Sequence, residues 1–378
     1  MQSTVALVRC EDYDEHRVFD AVGEGLSLLG GIARFVKAGE KVLLKPNLLS
    51  GKAPEKVVCT HPSVLKAVAQ HSRQAGAQPA YGDSPGFGRP EAVARKAGLV
   101  AVAEELDMPL ADFINGQQVS FPEGKLLKQF TIAQGVLDAD ALISLSKLKT
   151  HALTRMTGAI KNQFGCIPGL LKGELHARMS EMDRFAQMLV DLCRYVDARI
   201  YIMDAVIAME GNGPGNGKPK PMAALLFSDD PVALDATACR MMKLDPAAVP
   251  TNRWGQEMGL GTFEDVQVVG EPLESLIVPD FKPSKTKPVP PDALNSAVAR
   301  AMRHFLVPKP VLDPAKCTRC GTCVKVCPAK PKAIDFRDKD APPSYDYAAC
   351  IRCYCCQELC PEGAIDVHTP VLGRFIRR

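Results

Sequence analysis

Between residues 317 and 361 one pattern is written twice, as CTRCGTCVKVCP (317–328) and as CIRCYCCQELCP (350–361). Both runs are C-x2-C-x2-C-x3-C-P, and each leads to Ala-Ile-Asp, at 333–335 and 364–366. Nine of the fourteen cysteines lie in this stretch, while Cys10, Cys59, Cys166, Cys193 and Cys239 stand singly along the chain. Short, regular spacing of this kind binds metal more often than it forms disulfides, whereas a lone cysteine is usually a small buried hydrophobe. A duplicated unit of roughly 60 residues cannot rest on an apolar core alone. The C-terminal part of the chain must therefore be built around what its cysteines hold.

The spacing is that of bacterial two-cluster ferredoxins, in which the fourth cysteine of each run ligates the other cluster. One 4Fe-4S cluster then takes Cys317, Cys320, Cys323 and Cys360, and a second takes Cys350, Cys353, Cys356 and Cys327. Gly321 lets the backbone approach the first cluster closely. C-x2-C pairs also build zinc ribbons, but tetrahedral zinc wants paired knuckles, and two complete four-cysteine runs fit it poorly. Cys355 falls outside the pattern. Counting it in place of Cys356 would change both spacers, so it is expected to pack beside the cluster. Two clusters in one small domain serve one-electron transfer along a chain of centres, and this tail is expected to carry electrons.

The first 270 residues alternate strand-like and helical stretches. Apolar alternation predicts strands at 3–10, 41–47, 141–148, 198–209, 222–228 and 265–270. Helical periodicity with glycine or proline punctuation predicts helices at 15–31, 61–77, 181–196 and 230–243. This alternation implies an α/β domain with a mostly parallel sheet. VPDFKPSKTKPVPPDAL (278–294) has no apolar period and five prolines, so it is expected to be a linker, followed by a short helix at 295–307. The expected organisation is an α/β domain at 1–277, linker and helix at 278–309, and a small α+β ferredoxin-like domain at 310–370.

In the large domain, SKLKTHALTRMTGAIKNQFG (146–165) concentrates Lys147, Lys149, His151, Arg155 and Lys161, with no acidic residue between Asp140 and Glu174. Ligands in open α/β sheets sit outside the carboxyl ends of the strands. Lys45 and Asn47 follow the second predicted strand, Asp83 the strand with which QPAYGDSPGFG (78–88) begins before its glycine-rich loop, and Lys147, Lys149 and His151 the strand at 141–148. Together with Lys161, Asn162 and Asn212 of the GNGPGNG loop (211–217), these are the candidate anion-binding residues. Lys149, His151 and Lys161 are the candidates for a catalytic part. The plainer alternatives are a solvated strand face for the lysines, a core or surface histidine, and a flexible turn for GNGPGNG, which matches no Walker or Rossmann fingerprint.

The order VLLKPNL (42–48), THPSVLKAV (60–68), YGDSPG (81–86), SKLKTH…TGAIKNQFG (146–165), MDAVIAMEGNGPGNG (203–217) and SDDPVALDATA (228–238) resembles the domain-of-unknown-function 362 family. The family is known chiefly as iron–sulfur-centre proteins, and the cysteine tail agrees with the resemblance. It implies the iron–sulfur character but no particular reaction.

Two functional expectations follow. The first is an oxidoreductase that passes electrons from two 4Fe-4S clusters to an anionic substrate in the α/β domain. The second is a non-enzymatic electron carrier whose α/β domain docks a partner redox enzyme. Both imply a redox partner protein, and a homodimer is compatible with either. No flavin fingerprint is evident. A net charge of +3 and a basic run with one aromatic, Phe164, do not suit nucleic acid. The N-terminus has no basic n-region and no apolar run approaches the roughly 20 residues of a membrane helix, so the chain is expected to be cytoplasmic.

Overall fold

The computed structural model describes residues 2–284 and 303–370. The strand signals of the large domain converge on one sheet. Its members are β1 (Ser3–Arg9), β2 (Lys41–Lys45) and β3 (Gln78–Tyr81), then, after the separate β4–β5 hairpin (Gly116–Ser120 and Gln129–Ala133), β6 (Ala141–His151), β7 (Arg155–Thr157), β8 (Ile200–Glu210), β9 (Lys218–Ser228) and β10 (Val266–Gly270). The order is β10-β1-β9-β8-β6-β2-β3, with β7 hairpinned onto β6. β8, β6, β2 and β3 are parallel neighbours, as are β1 and β10, while β9 runs against both of its neighbours. The mostly parallel α/β expectation holds. The hairpin was not foreseen, because β4 is exposed along nearly its whole length and lacks apolar alternation.

Each face of the sheet is covered by helices, giving one apolar layer per face. Helices Glu15–Leu28 and Pro62–Gln74 bury Val18, Val22, Val64 and Val68 on one face. Helices Met182–Val196 and Pro231–Met241 bury Phe185, Leu189, Leu234 and Ala238 on the other. The last of these starts sharply because Pro231 follows Asp230, whose carboxylate accepts from the backbone N–H of Val232 (2.7 Å) and Ala233 (3.0 Å). Between the layers, all eleven residues of β6 are buried, including its polar C-terminal half.

The ferredoxin-like tail pairs β11 (Lys309–Leu312) with β14 (Ile365–His368) and β12 (Ile334–Asp335) with β13 (Ser344–Tyr345). Each cysteine run bends into a one-turn helix, Thr322–Lys325 or Cys355–Glu358, after a left-handed residue, Gly321 (φ 72°) or Tyr354 (φ 63°). The sequence placed the linker at 278, but Phe281 is buried in the α/β core and Lys282 exchanges hydrogen bonds with Glu210 and Gly211. The large domain therefore continues to at least Ser284. The remainder of the expected linker and most of the 295–307 helix lie outside the described residues, which include only its Arg303–Leu306 turn. Among the described residues no helix is long and apolar enough to cross a membrane.

Candidate functional site

The parallel strands β2, β3, β6 and β8 end on the same side of the sheet, and the segment 158–176 folds over those ends. Asn47 after β2, Ser84 after β3, Lys161, Lys172 and His176 surround a cavity of about 110 Å³ there. Its remaining wall comes from the tail, as Val326, Cys355, Glu358 and Leu359. The cavity lies at the junction of the two domains.

Of the residues expected to grip an anion, Asn47, Asp83, Lys161 and Asn162 line this cavity. Lys45 stands behind it, fully buried and 2.8 Å from the carboxylate of Asp83, which also accepts from the N–H of Leu48 (2.7 Å). Gly165 makes that pair possible: a Cβ there would come within 1.8 Å of Asp83 Oδ1. Lys149 donates to Asn47 Oδ1 and to the Val58 carbonyl, both at 2.6 Å. Asn47 Nδ2 in turn donates to Asn162 Oδ1 (3.2 Å). These groups hold one another and shape the wall. Burial lowers the Lys149 pKa to about 7, with Lys147 and Lys161 acting in the same direction.

Two expected residues lie elsewhere. Lys147 is buried against Asp204 (2.9 Å) and the Tyr13 hydroxyl (2.5 Å), in a separate polar cluster. Asn212 faces the tail, donating to the Ile365 carbonyl (3.3 Å) and accepting from Gln357 Nε2 (2.7 Å). His151 takes a bridging position: its Nδ1 accepts from the N–H of Leu153 (3.0 Å) and Thr154 (3.2 Å), which leaves hydrogen on Nε2, 3.0 Å from Glu358 Oε1. Burial lowers the His151 pKa, so it is the neutral ring that meets the Glu358 carboxylate. The solvated-face alternative also fails for Lys147 and Lys149, which are 1% and 0% exposed. The run lacks acids only in sequence; Asp83, Asp204 and Glu358 arrive from other segments.

The GNGPGNG loop is neither a flexible turn nor an anion cradle. Asn216 donates to the carbonyls of Gln357 (3.2 Å) and Cys360 (3.1 Å), and Lys52 donates to the Gly215 carbonyl (3.0 Å) and Asn216 Oδ1 (2.9 Å). A Cβ on Gly215 would come within 2.2 Å of the Glu358 carbonyl. Its glycines let one backbone lie against another, and the loop clamps the tail onto the α/β domain.

Sequence reasoning did not single out Lys172 or His176. Lys172 donates to Ser84 Oγ and to the Ile167 carbonyl (2.9 Å). Burial holds its pKa down at about 7, opposed by Asp83. His176 is 95% buried, stacked on Phe185 (4.4 Å between centroids) and edge-on to Phe164, and its Nδ1 has no hydrogen-bond partner among the described residues. Their helix, Leu171–Arg178, has no strong apolar stripe that would have announced it.

In the tail the cysteines surround two further small spaces, each of about 20 Å³. Cys317, Cys320, Cys323 and Cys360 line one, and Cys327, Cys350, Cys353 and Cys356 line the other. The partition is the crossed one that the spacing implies. Among the described residues no three His, Cys, Asp or Glu side chains meet at the spacing of a single metal ion; the thiols ring a space instead. Four soft donors around an apolar hollow suit an iron–sulfur cluster. The Tyr345 hydroxyl lies 3.2 Å from Cys356 Sγ, and the Ala364 N–H donates to Cys360 Sγ (3.3 Å). Cys355 lies outside both rings and lines the junction cavity.

Fold and site together define an iron–sulfur protein with an electron-transfer role, made of an α/β domain carrying a 4Fe-4S tail. The chain belongs to the family described as domain of unknown function DUF362, whose model matches residues 42–240, and a 4Fe-4S dicluster domain matches 309–361. It is 37% identical over 311 residues, 81% of this chain and 96% of the other, to the thylakoid-associated protein sll1697 of Synechocystis sp.. Among solved structures it is loosely similar to the lactate racemase apoprotein of Thermoanaerobacterium thermosaccharolyticum (TM-score 0.41, 12% identity, 64% of this chain and 57% of that one). A Thermotoga maritima protein gives TM-score 0.36 at 13% identity, covering 62% and 60%. At these scores neither structure bears on the site or its activity.

Proposed function

We propose that this protein is an iron–sulfur oxidoreductase that binds two 4Fe-4S clusters and passes electrons to a small anionic substrate held in the junction cavity. The observation that carries this reading is the cavity's composition. Its lining brings the ammonium groups of Lys161 and Lys172 together with Cys355, Glu358 and Leu359, from the segment that contains Cys356 and runs into Cys360. The clusters supply single electrons when bound. Lys161 and Lys172 hold the substrate's negative charge, and the web of Lys45, Asp83, Asn47, Asn162 and Lys149 keeps the cavity walls in place. Lys172, with its pKa near neutrality, can also exchange a proton with a bound molecule. Leu48, Leu49 and Leu359 add apolar surface to the space. Electrons reach the clusters from a separate redox protein. The thylakoid association of the Synechocystis relative suits a donor that is itself fixed to a membrane.

The experiment is anaerobic. Loaded protein should contain about eight irons and eight sulfides per chain, unchanged in Cys355→Ser and lowered in Cys356→Ser. Dithionite-reduced protein, freed of reductant, should be reoxidised by a small organic anion, and Lys161→Met should slow that reaction without altering the iron content. Reoxidation by partner proteins alone would replace this reading with that of an electron carrier.

A further inference from the structure

We infer that the ligand of the junction cavity is a short-chain monocarboxylate, contacted directly by Lys161 and His176. This rests on the substrate-binding reading above and narrows it to one chemical class.

Three observations lead there. The first is charge. Among the side chains that line the cavity or form an ion pair with one that does are three amines, Lys45, Lys161 and Lys172, and two carboxylates, Asp83 and Glu358. Lys45 and Asp83 neutralise one another at 2.8 Å. Glu358 acts on Lys161 as its principal favourable charge. With Lys172 protonated, one positive charge is left over. A monoanion balances it, whereas a dianion would leave a negative charge in a partly desolvated space.

The second is unmet hydrogen bonding. Lys161 is part-buried with its ammonium over the Phe164 ring (4.7 Å) and near Phe185 (5.9 Å), and among the described residues it donates to no oxygen. His176 rests on the same two rings, its buried Nδ1 also without a partner. The aromatic pair thus fixes an ammonium and an imidazole nitrogen beside one cavity. A buried polar atom without a partner costs about 1–3 kcal/mol, and a ligand that partners both recovers it. Burial lowers the His176 pKa to about 3, so the ring is neutral and meets a ligand as one hydrogen-bonding atom.

The third is size and lining. A space of about 110 Å³ is somewhat smaller than the roughly 150 Å³ cavity that admits benzene, so it takes only a small ligand. Beyond the polar end, Leu48, Leu49 and Leu359 offer an apolar wall. An acid with a short hydrocarbon body uses both parts; a bare inorganic anion uses only the first.

The test is calorimetric titration of the full, iron-loaded, oxidised protein with butyrate, succinate, phosphate and butyramide at matched ionic strength. Butyrate should bind at least about tenfold more tightly than each of the others. Lys161→Met should weaken butyrate about tenfold or more, and so should His176→Phe, which keeps the stacked ring and removes the nitrogen. The inference is overturned if succinate or phosphate binds more tightly, if butyramide binds as well as butyrate, if no probe binds, or if neither variant matters. Electron delivery is judged separately. Selective butyrate binding with no monocarboxylate able to reoxidise reduced protein would leave this inference standing and remove the oxidoreductase reading. A dianion that binds and reoxidises would do the reverse.

Discussion

Glu358 offers a quantitative test of how the tail is held. Its carboxylate is 8% exposed, lies 3.0 Å from His151 Nε2 and belongs to the electrostatic surroundings of Lys161. Burial by itself would raise its pKa; the hydrogen bond from His151 and the charge of Lys161 oppose this, and it stands at about 2, so the group is ionised. Glu358→Gln keeps an oxygen for the His151 N–H but removes the charge. Exchanging a charged for a neutral acceptor should cost about 1–1.5 kcal/mol. Glu358→Ala also strands the His151 N–H and leaves Lys161 without its counter-charge, for a total of roughly 3–5 kcal/mol. If this contact secures the tail, both costs fall on docking, at about 1.4 kcal/mol per tenfold. Hydrogen exchange followed by mass spectrometry on loaded protein reads this locally. Amides of 151–154 and 355–359 should exchange roughly tenfold faster in Glu358→Gln and a hundredfold or more in Glu358→Ala. Core amides of β1 and β9 should keep their protection. Equal effects of the two variants, or loss of protection spread over the whole sheet, would refute the argument.

Two further outcomes are expected. Gly215→Ala places a methyl group 2.2 Å from the Glu358 carbonyl and should speed iron loss to a chelator several-fold while the circular dichroism of the α/β domain is unchanged. Butyrate affinity should fall by up to about tenfold per unit as pH rises above 7, because a neutral Lys172 no longer holds an anion. Burial, Lys45 and Lys161 lower the pKa of that lysine to about 7, while Asp83 and Cys166 oppose them; Lys172→Met should flatten the profile.

The legible parts of this molecule were the local ones. Cluster spacing is a property of a dozen consecutive residues, so the membership of both cysteine rings, with Cys360 in the first and Cys327 in the second, could be read directly. The main strands and helices followed from short-range periodicity, usually to within two or three residues. The logic of strand ends led to Asn47 and Asp83, and the acid-free basic run to Lys161 and Asn162. What could not be read was the identity of long-range partners. Lys147 looked free because its counter-charge, Asp204, comes from a neighbouring strand. The glycines of 211–217 suggested a ligand cradle, but the object they accommodate is another stretch of the same backbone, some 145 residues away. Lys172 and His176 gained their significance only from the rings and walls around them.

The shared wall of the junction cavity has a consequence for the order in which the protein matures. Cys355, Glu358 and Leu359 lie in the turn between Cys353 and Cys360, which a bound cluster would help to shape. A freshly made chain without iron would own the lysines but lack the surface beside them. Affinity for the small ligand would then appear only after cofactor insertion, so that an immature chain neither captures the ligand nor competes for it with finished molecules.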